Sequence, residues 1–216
     1  MLRGDAYDYW LLDLDGTLVD VEEGYIHDVF DAIGDRLGYG FSQEQAQILW
    51  HGLGGFRNDQ LARWNIDPDA FWEAFHAVED GQRRAEHTFL YDDAEHFADH
   101  DGPLGLITHS QPSLANPTLD HLDIRDWFDT VVCCSDDIGW KPDPAPVERV
   151  LSDLDVEKSD AGVLAGDGAT DIGAAWNTGL DGIHVERHGH DRRGMCVRGD
   201  YRVSDFDELF GSSARS

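Results

Sequence analysis

Short apolar runs separated by helical periodicity constrain this chain more than any other feature. Tyr9–Leu12 and residues 104–108, 130–134, 162–165 and 182–185 are each four or five residues long, with a weaker run at 201–203. Runs this short and uniformly apolar suit strands covered on both faces, and their alternation with helices means a parallel sheet wound on both sides. Helices are expected over 92–100, 112–122 (with Pro117 inside), 144–154 and 169–177, with a closing turn at 204–210.

The alternation is interrupted straight after the first strand. Ile26, Val29, Phe30, Ile33 and Leu37 recur at helical spacing, and Ser42 with Gln45 resembles a capping box. A short helical piece follows over 59–64, and Asp67-Pro68 marks a restart, an N-cap with proline at the first helical position. Residues 21–90 therefore read as nearly all helix, with no strand pattern. The expected fold class is α/β: a doubly wound, Rossmann-like parallel sheet from residues 1–20 and 91–216, with a small all-helical cap inserted at 21–90. The hinges are expected near 18–22 and 88–92.

The first apolar run leads into Asp13 and Asp15, then a Gly16-Thr17 turn. Residues two apart in an extended chain share a face, so two carboxylates converge where the strand runs out. Like charges at that distance call for a cation between them or a proton on one. The same letters also suit an Asp-rich turn. Other suggestive residues fall at the ends of later strands: Thr108-His109-Ser110, Lys141 in the loop after Cys134, and Gly166-Asp167-Gly168-Ala169-Thr170-Asp171. Each alone has a structural reading, as N-cap or solvated loop charge. Their meeting at the carboxyl edge of an open parallel sheet, where such folds bind ligands, points to a site.

In this combination the chain resembles the haloacid dehalogenase-like (HAD) hydrolase superfamily. The resemblance rests on DLDGT at 13–17, Thr108, Lys141 and GDGATD at 166–171, in order, with the long gap after the first motif matching a C1-type helical cap. It implies a Mg²⁺-dependent phosphatase of the phosphoglycolate phosphatase-like kind, acting on a small phosphorylated metabolite. Asp13 is the implied nucleophile, Asp15 the general acid and base, and Lys141 the neutralising cation. Thr108, with His109 and Ser110, is implied to bind the phosphoryl group. Asp13, Asp15 (through its carbonyl), Asp167 and Asp171 are the implied metal set. His109 stands where many relatives carry Asn. A β-phosphoglucomutase-type transfer would share all four motifs. A 2-haloacid dehalogenase typically lacks the second acid, and a phosphonoacetaldehyde-type hydrolase needs a cap lysine, which 21–90 does not contain. A catalytically silent binding module would be expected to have lost acids that are present here.

The cap is the least informative stretch. Gly54-Gly55-Phe56-Arg57-Asn58 suits a loop over the site, with Arg57 meeting an anionic substrate group, or an ordinary connector. His51, His76, His87 and His96 read as surface or core histidines, and Trp50, Trp64 and Trp72 as cap core.

Composition excludes some classes. The chain of 216 residues carries 44 acids (33 Asp, 11 Glu) against 16 bases, a formal net charge of −28, and its lysines are Lys141 and Lys158 alone. Such a surface repels nucleic acid and anionic membranes. The acids are dispersed rather than blocked, as in a cytoplasmic protein of concentrated salt, where screening relieves self-repulsion. No apolar run has the length of a membrane span, the N-terminus has no signal-peptide pattern, and Cys133, Cys134 and Cys196 form no disulfide framework, reading instead as buried small hydrophobes. Oligomeric state is not written in the sequence.

Overall fold

The computed structural model describes residues 4–156 and 161–211; Lys158 lies outside them. Its centre is a six-stranded, all-parallel sheet in the order β5-β4-β1-β6-β7-β8. The strands are β1 (Tyr9–Leu12), β4 (Leu104–Thr108), β5 (Thr130–Cys133), β6 (Gly162–Gly166), β7 (Asp181–Val185) and β8 (Tyr201–Val203). Strand β1 shows why both faces must be covered: Tyr9, Trp10, Leu11 and Leu12 are all fully buried. Trp10 and Leu12 enter one apolar cluster, with Phe97, Leu119 and Phe206. Tyr9 and Leu11 enter another, with Val147, Val150 and Ala175. The first is closed by α6 (Pro112–His121), α9 (Asp207–Phe210) and a 3-10 turn at Asp92–Phe97; the second by α7 (Ala145–Leu154) and α8 (Ala169–Thr178).

Between β1 and β4 the chain makes a helical excursion: α1 (Glu23–Leu37), α2 (Gln43–Trp50), α3 (Arg57–Arg63), α4 (Pro68–Val78) and α5 (Gly81–Glu86). These helices have their own apolar cluster, built on Tyr25, Ile26, Phe30, Ile33, Leu61 and Phe71. Ser42 and Gln45 form the capping box, and Asp67 caps α4 with Pro68 at its first position. The excursion is not all helix, however. It leaves and returns through an antiparallel pair, β2 (Val19–Val21) and β3 (Thr88–Leu90), with Val19 opposite Leu90 and Val21 opposite Thr88. Three-residue strands are too short to show a period of two, so sequence periodicity misses them. Residues 92–97 likewise form a 3-10 turn, not the longer helix expected.

Helix α6 carries Pro117 in its interior. Proline has no N–H to give the carbonyl four residues earlier, that of Ser113. Gly81, the first residue of α5, packs against that carbonyl so closely that a Cβ there would lie 2.0 Å from the Ser113 oxygen. The three cysteines are free: Cys134 is buried and Cys133 half-buried, but Cys196 is exposed, contrary to expectation. Among the described residues no helix is long and apolar enough to cross a membrane.

Candidate active site

Strand β1 sits between β4 and β6, so the chain winds away from it in both directions. Beyond its carboxyl end lies a crevice of the kind where open α/β sheets bind ligands. A cavity of about 570 Å³ opens there, lined on its floor by Asp13, Asp15, Thr108, Lys141, Asp167 and Asp171. His109, Ser110 and Arg57 line it too. Every site residue singled out in the sequence thus faces one space.

The floor is an ion-paired unit. Lys141 is 4% exposed, and its Nζ donates to Asp13 Oδ1 at 2.7 Å and to the Ile107 carbonyl at 2.8 Å. It also meets Asp171 Oδ1 at 2.6 Å. The ammonium thus donates to two oxygens and is ion-paired with a third. Burial alone would depress Lys141, but Asp13 and Asp171 hold it above its usual range. Burial pushes Asp13 well above the usual carboxylate range; Lys141 pulls it down, and Asp171 and Asp167 push it up again. Thr17 Oγ1 approaches Asp13 Oδ2 at 3.4 Å. Asp171 also accepts the Gly168 N–H at 2.9 Å, closing the first turn of α8.

Asp167 completes the acidic group. Oxygens of Asp13, Asp167 and Asp171 all lie within 4.8 Å of one another. Burial drives Asp167 up to about 6, against the pull of Arg193, whose Nη2 donates to its Oδ2 at 3.2 Å. Arg193 is itself anchored by Glu186 at 2.8 Å. Three carboxylates face two fixed cations, so a negative surplus remains. An all-oxygen donor set with such a surplus fits a hard divalent cation. Gly16 is needed where it stands: its φ is +77°, and a Cβ there would press on the Asp167 carboxylate at 3.0 Å.

Asp15 faces away from that group. Its Oδ1 accepts from Arg84 Nη2 at 2.7 Å, and its Oδ2 from Ser110 Oγ at 2.6 Å. Arg84, on α5, is 7% exposed, lies over the Trp50 ring and also meets Glu79 at 3.1 Å. Thr108 is buried, and its Oγ1 accepts the Ser110 N–H at 2.9 Å. The His109 ring stands edge-on to Trp140; desolvation and then the Lys141 charge lower it to about 4, although the residue keeps an exposed surface. Arg57 commits Nε to the Leu49 carbonyl (2.6 Å) and Nη2 to that of Trp50 (2.8 Å), which fixes its guanidinium at the cavity wall.

Sequence reasoning missed Arg84, Glu79, Glu186 and Arg193, which no local pattern distinguishes from solvated charges. It also assigned Trp50 and Trp72 wholly to the helical core, whereas both line the cavity.

A family model for the haloacid dehalogenase-like hydrolases matches residues 10–185. The chain belongs to that family. It is 28% identical to the pyrophosphatase PpaX of Bacillus velezensis over 186 residues, 78% of each chain. It is equally 28% identical to the phosphoglycolate phosphatase of Yersinia pseudotuberculosis over 195 residues, 82% of this chain and 78% of that one. Among solved structures, a HAD-superfamily hydrolase from Geobacter sulfurreducens superposes with a TM-score of 0.69 at 19% identity, covering 96% of both chains. A HAD phosphatase from Thermococcus onnurineus does so with 0.63 at 22%, covering 97% and 96%. This HAD hydrolase thus shares its fold along nearly its whole length with phosphatases and related hydrolases.

Proposed function

We propose that the protein is a Mg²⁺-dependent phosphomonoesterase that acts on a small phosphorylated metabolite, phosphoglycolate-like or a sugar phosphate, through an aspartyl-phosphate on Asp13. The observation that carries this reading is the buried Asp13–Lys141 contact at 2.7 Å on the cavity floor, with Asp15 held separately by Arg84 and Ser110. One carboxylate is paired with an ammonium, and the other is aimed by Arg84 and Ser110. That is the division of labour a two-step transfer needs.

In the first step an Asp13 oxygen attacks phosphorus, the bond to the leaving oxygen breaks, and that oxygen takes a proton from Asp15, which enters the step in its protonated form. In the second, Asp15 takes a proton from water, which attacks the phosphoryl group and frees Asp13 and phosphate. Lys141 donates to Asp13 and a carbonyl and is ion-paired with Asp171, so it orients the nucleophile and offsets its charge. Thr108, whose oxygen already accepts from Ser110, donates its hydroxyl proton to a phosphoryl oxygen, helped by the amides leading into α6. His109, neutral at ordinary pH, serves as a polar wall. The Asp13 and Asp167 carboxylates, with Asp171 and the Asp15 carbonyl beside them, would hold Mg²⁺, which would supply positive charge to the phosphoryl oxygens when bound. Residues 21–90 are proposed to act as a cap, with Arg57 meeting an anionic group of the substrate.

Two relatives are named for small anionic phosphates, which motivates a panel of phosphoglycolate, pyrophosphate and sugar phosphates. The decisive assay is p-nitrophenyl phosphate hydrolysis in molar KCl, the medium that the net charge of −28 favours. Turnover with Mg²⁺ and none with EDTA is expected. Asp13→Asn should abolish turnover with an unchanged circular dichroism spectrum; retained turnover would refute the nucleophile assignment. Activity undiminished by EDTA would refute the metal.

A further inference from the structure

A second cluster lies behind the cavity, at the junction of the helical excursion and the sheet. Asp20 comes from β2, His51 follows the last residue of α2, and His188 stands in the loop after β7. Candidate ligand atoms of the three lie within 4.8 Å of one another. His51 Nε2 is 3.2 Å from Asp20 Oδ1, and His188 Nε2 is 3.4 Å from Asp20 Oδ2. The two imidazole rings are 3.9 Å apart. The side chains of Asp20, His51 and His188 are 8%, 7% and 14% exposed. His188 Nε2, though it faces the carboxylate, has no hydrogen-bond partner among the described residues, and neither has His51 Nδ1.

His51 Nε2 is engaged with Asp20 Oδ1, so the unpartnered atom that faces the carboxylate is His188 Nε2, and a cation between them would satisfy it. A tetrahedral ion with bonds of about 2.0–2.1 Å holds its ligand atoms roughly 3.3–3.4 Å apart. Each imidazole stands at about that distance from one oxygen of the Asp20 carboxylate, His51 from Oδ1 and His188 from Oδ2. Burial, then mutual repulsion and nearby arginines, lowers His51 to about 2; burial and the arginines lower His188 to about 4.

The surroundings narrow the class of ion. Arg57, Arg192 and Arg193 oppose a cation near His51. Asp15 and Asp167 join Asp20 around an adjoining cavity of about 60 Å³ and offset them. Net charge therefore does not select the ion, and the imidazoles do, which favours a zinc-class ion over Mg²⁺ or Ca²⁺. The adjoining cavity has room for a water as fourth ligand. Tyr91 OH donates to Asp20 Oδ2 at 2.8 Å and fixes the carboxylate, as outer-shell partners of metal ligands do. The two sides are presented at a set distance. The Gly54 N–H donates to the Arg192 carbonyl at 3.0 Å, and a Cβ on Gly194 would lie 2.5 Å from the Gly54 backbone.

We propose that Asp20, His51 and His188 form a second metal site, for Zn²⁺ or an ion of its class, that clasps the helical excursion to the loop after β7. The site is separate from the acidic group on the cavity floor. It also revises the reading of His51 as an ordinary surface or core histidine.

The test uses the full chain in excess Mg²⁺, which occupies the all-oxygen group. Zn²⁺ is added, and the metal retained after gel filtration is counted. One equivalent is expected in the unaltered protein and in Asp167→Asn, with at least a tenfold weaker affinity in His188→Gln of unchanged circular dichroism. Equal retention in His188→Gln, or loss in Asp167→Asn alone, would overturn the proposal, as would no retained zinc. Should His188→Gln not fold, Co²⁺ in the unaltered protein decides: intense visible bands of tetrahedral Co²⁺ support the site, and the weak bands of octahedral Co²⁺ sink it.

Discussion

The floor and the roof of the large cavity are built by opposite rules. On the floor, Asp13, Lys141 and Asp171 are at most 6% exposed, and each charge meets its opposite within 2.7 Å. Asp13 follows the end of β1 and Asp171 stands in the first turn of α8, while Lys141 reaches in from the loop between β5 and α7. The roof comes from the helical excursion and is largely aromatic: Trp50, Phe56, Trp72 and Phe75, with Phe56 67% exposed. Arg84 and Arg57 reach from it toward the floor. The floor is thus organised by charge neutralisation in a dry place, and the roof by shape and access. Conserving the first while varying the second would change the substrate without changing the chemistry.

The largest test of this contrast removes the floor's cation. Lys141→Met leaves Asp13 and Asp171 buried and unpaired, so it should lower stability by about 3–5 kcal/mol. It should also lower kcat by about 10²–10³-fold, the scale for losing a preorganised charge. Urea unfolding and steady-state kinetics measure both, and a variant as stable and active as the parent would dissolve the idea of a charge-built floor.

Arg84→Met probes the one contact by which the roof aims a floor acid. The expected loss in kcat is about 10²-fold, the lower range for a misplaced general acid or base, with Mg²⁺ affinity unchanged. If KM alone moved, Arg84 would be a substrate ligand and not a positioning group for Asp15.

A smaller effect is expected where the two parts simply pack. Gly81→Ala forces a methyl into the Ser113 carbonyl, so α5 must move off α6 at a cost of about 1–3 kcal/mol. A thermal melt of the variant reads it. An unshifted midpoint would mean that the α5–α6 contact is loose.

The smallest signal is His109. Its ring should titrate near 4 by proton NMR, below the ordinary value of about 6.5. It should stay neutral from pH 5 to 8 and put no limb on the activity profile in that window. A midpoint at the ordinary value would mean that the ring is solvated and away from Lys141.

The same contrast explains what was legible in the sequence. The places of Asp13, Thr108 and Asp167 could be anticipated because each ends or closely follows a short apolar run, and that of Lys141 because it lies in the loop after one; a parallel sheet brings the ends of such runs to one edge. The all-helical character of most of 23–86 was legible from periodicity and from caps such as Ser42 and Asp67. Nothing local announces that Arg84 will stand 2.7 Å from Asp15, or that Gly81 will pack against the Ser113 carbonyl with no room for a side chain. Those are contacts between segments far apart in the chain. Asp20, His51 and His188 are separated in the same way, so no motif spacing joins them. The β2 and β3 strands escaped for a different reason: three residues are too few for a pattern.

That small ribbon has a topological consequence. Because Val19 lies beside Leu90 and Val21 beside Thr88, the chain departs from the sheet and comes back through a single gap about one strand spacing wide, roughly 4.8 Å. The sheet's wiring is indifferent to how much chain hangs beyond this stem, or to its shape. A shorter hairpin, or a foreign helical bundle with adjacent ends, could be grafted onto the same two strands without re-threading any element of the sheet. The stem makes the roof an interchangeable part.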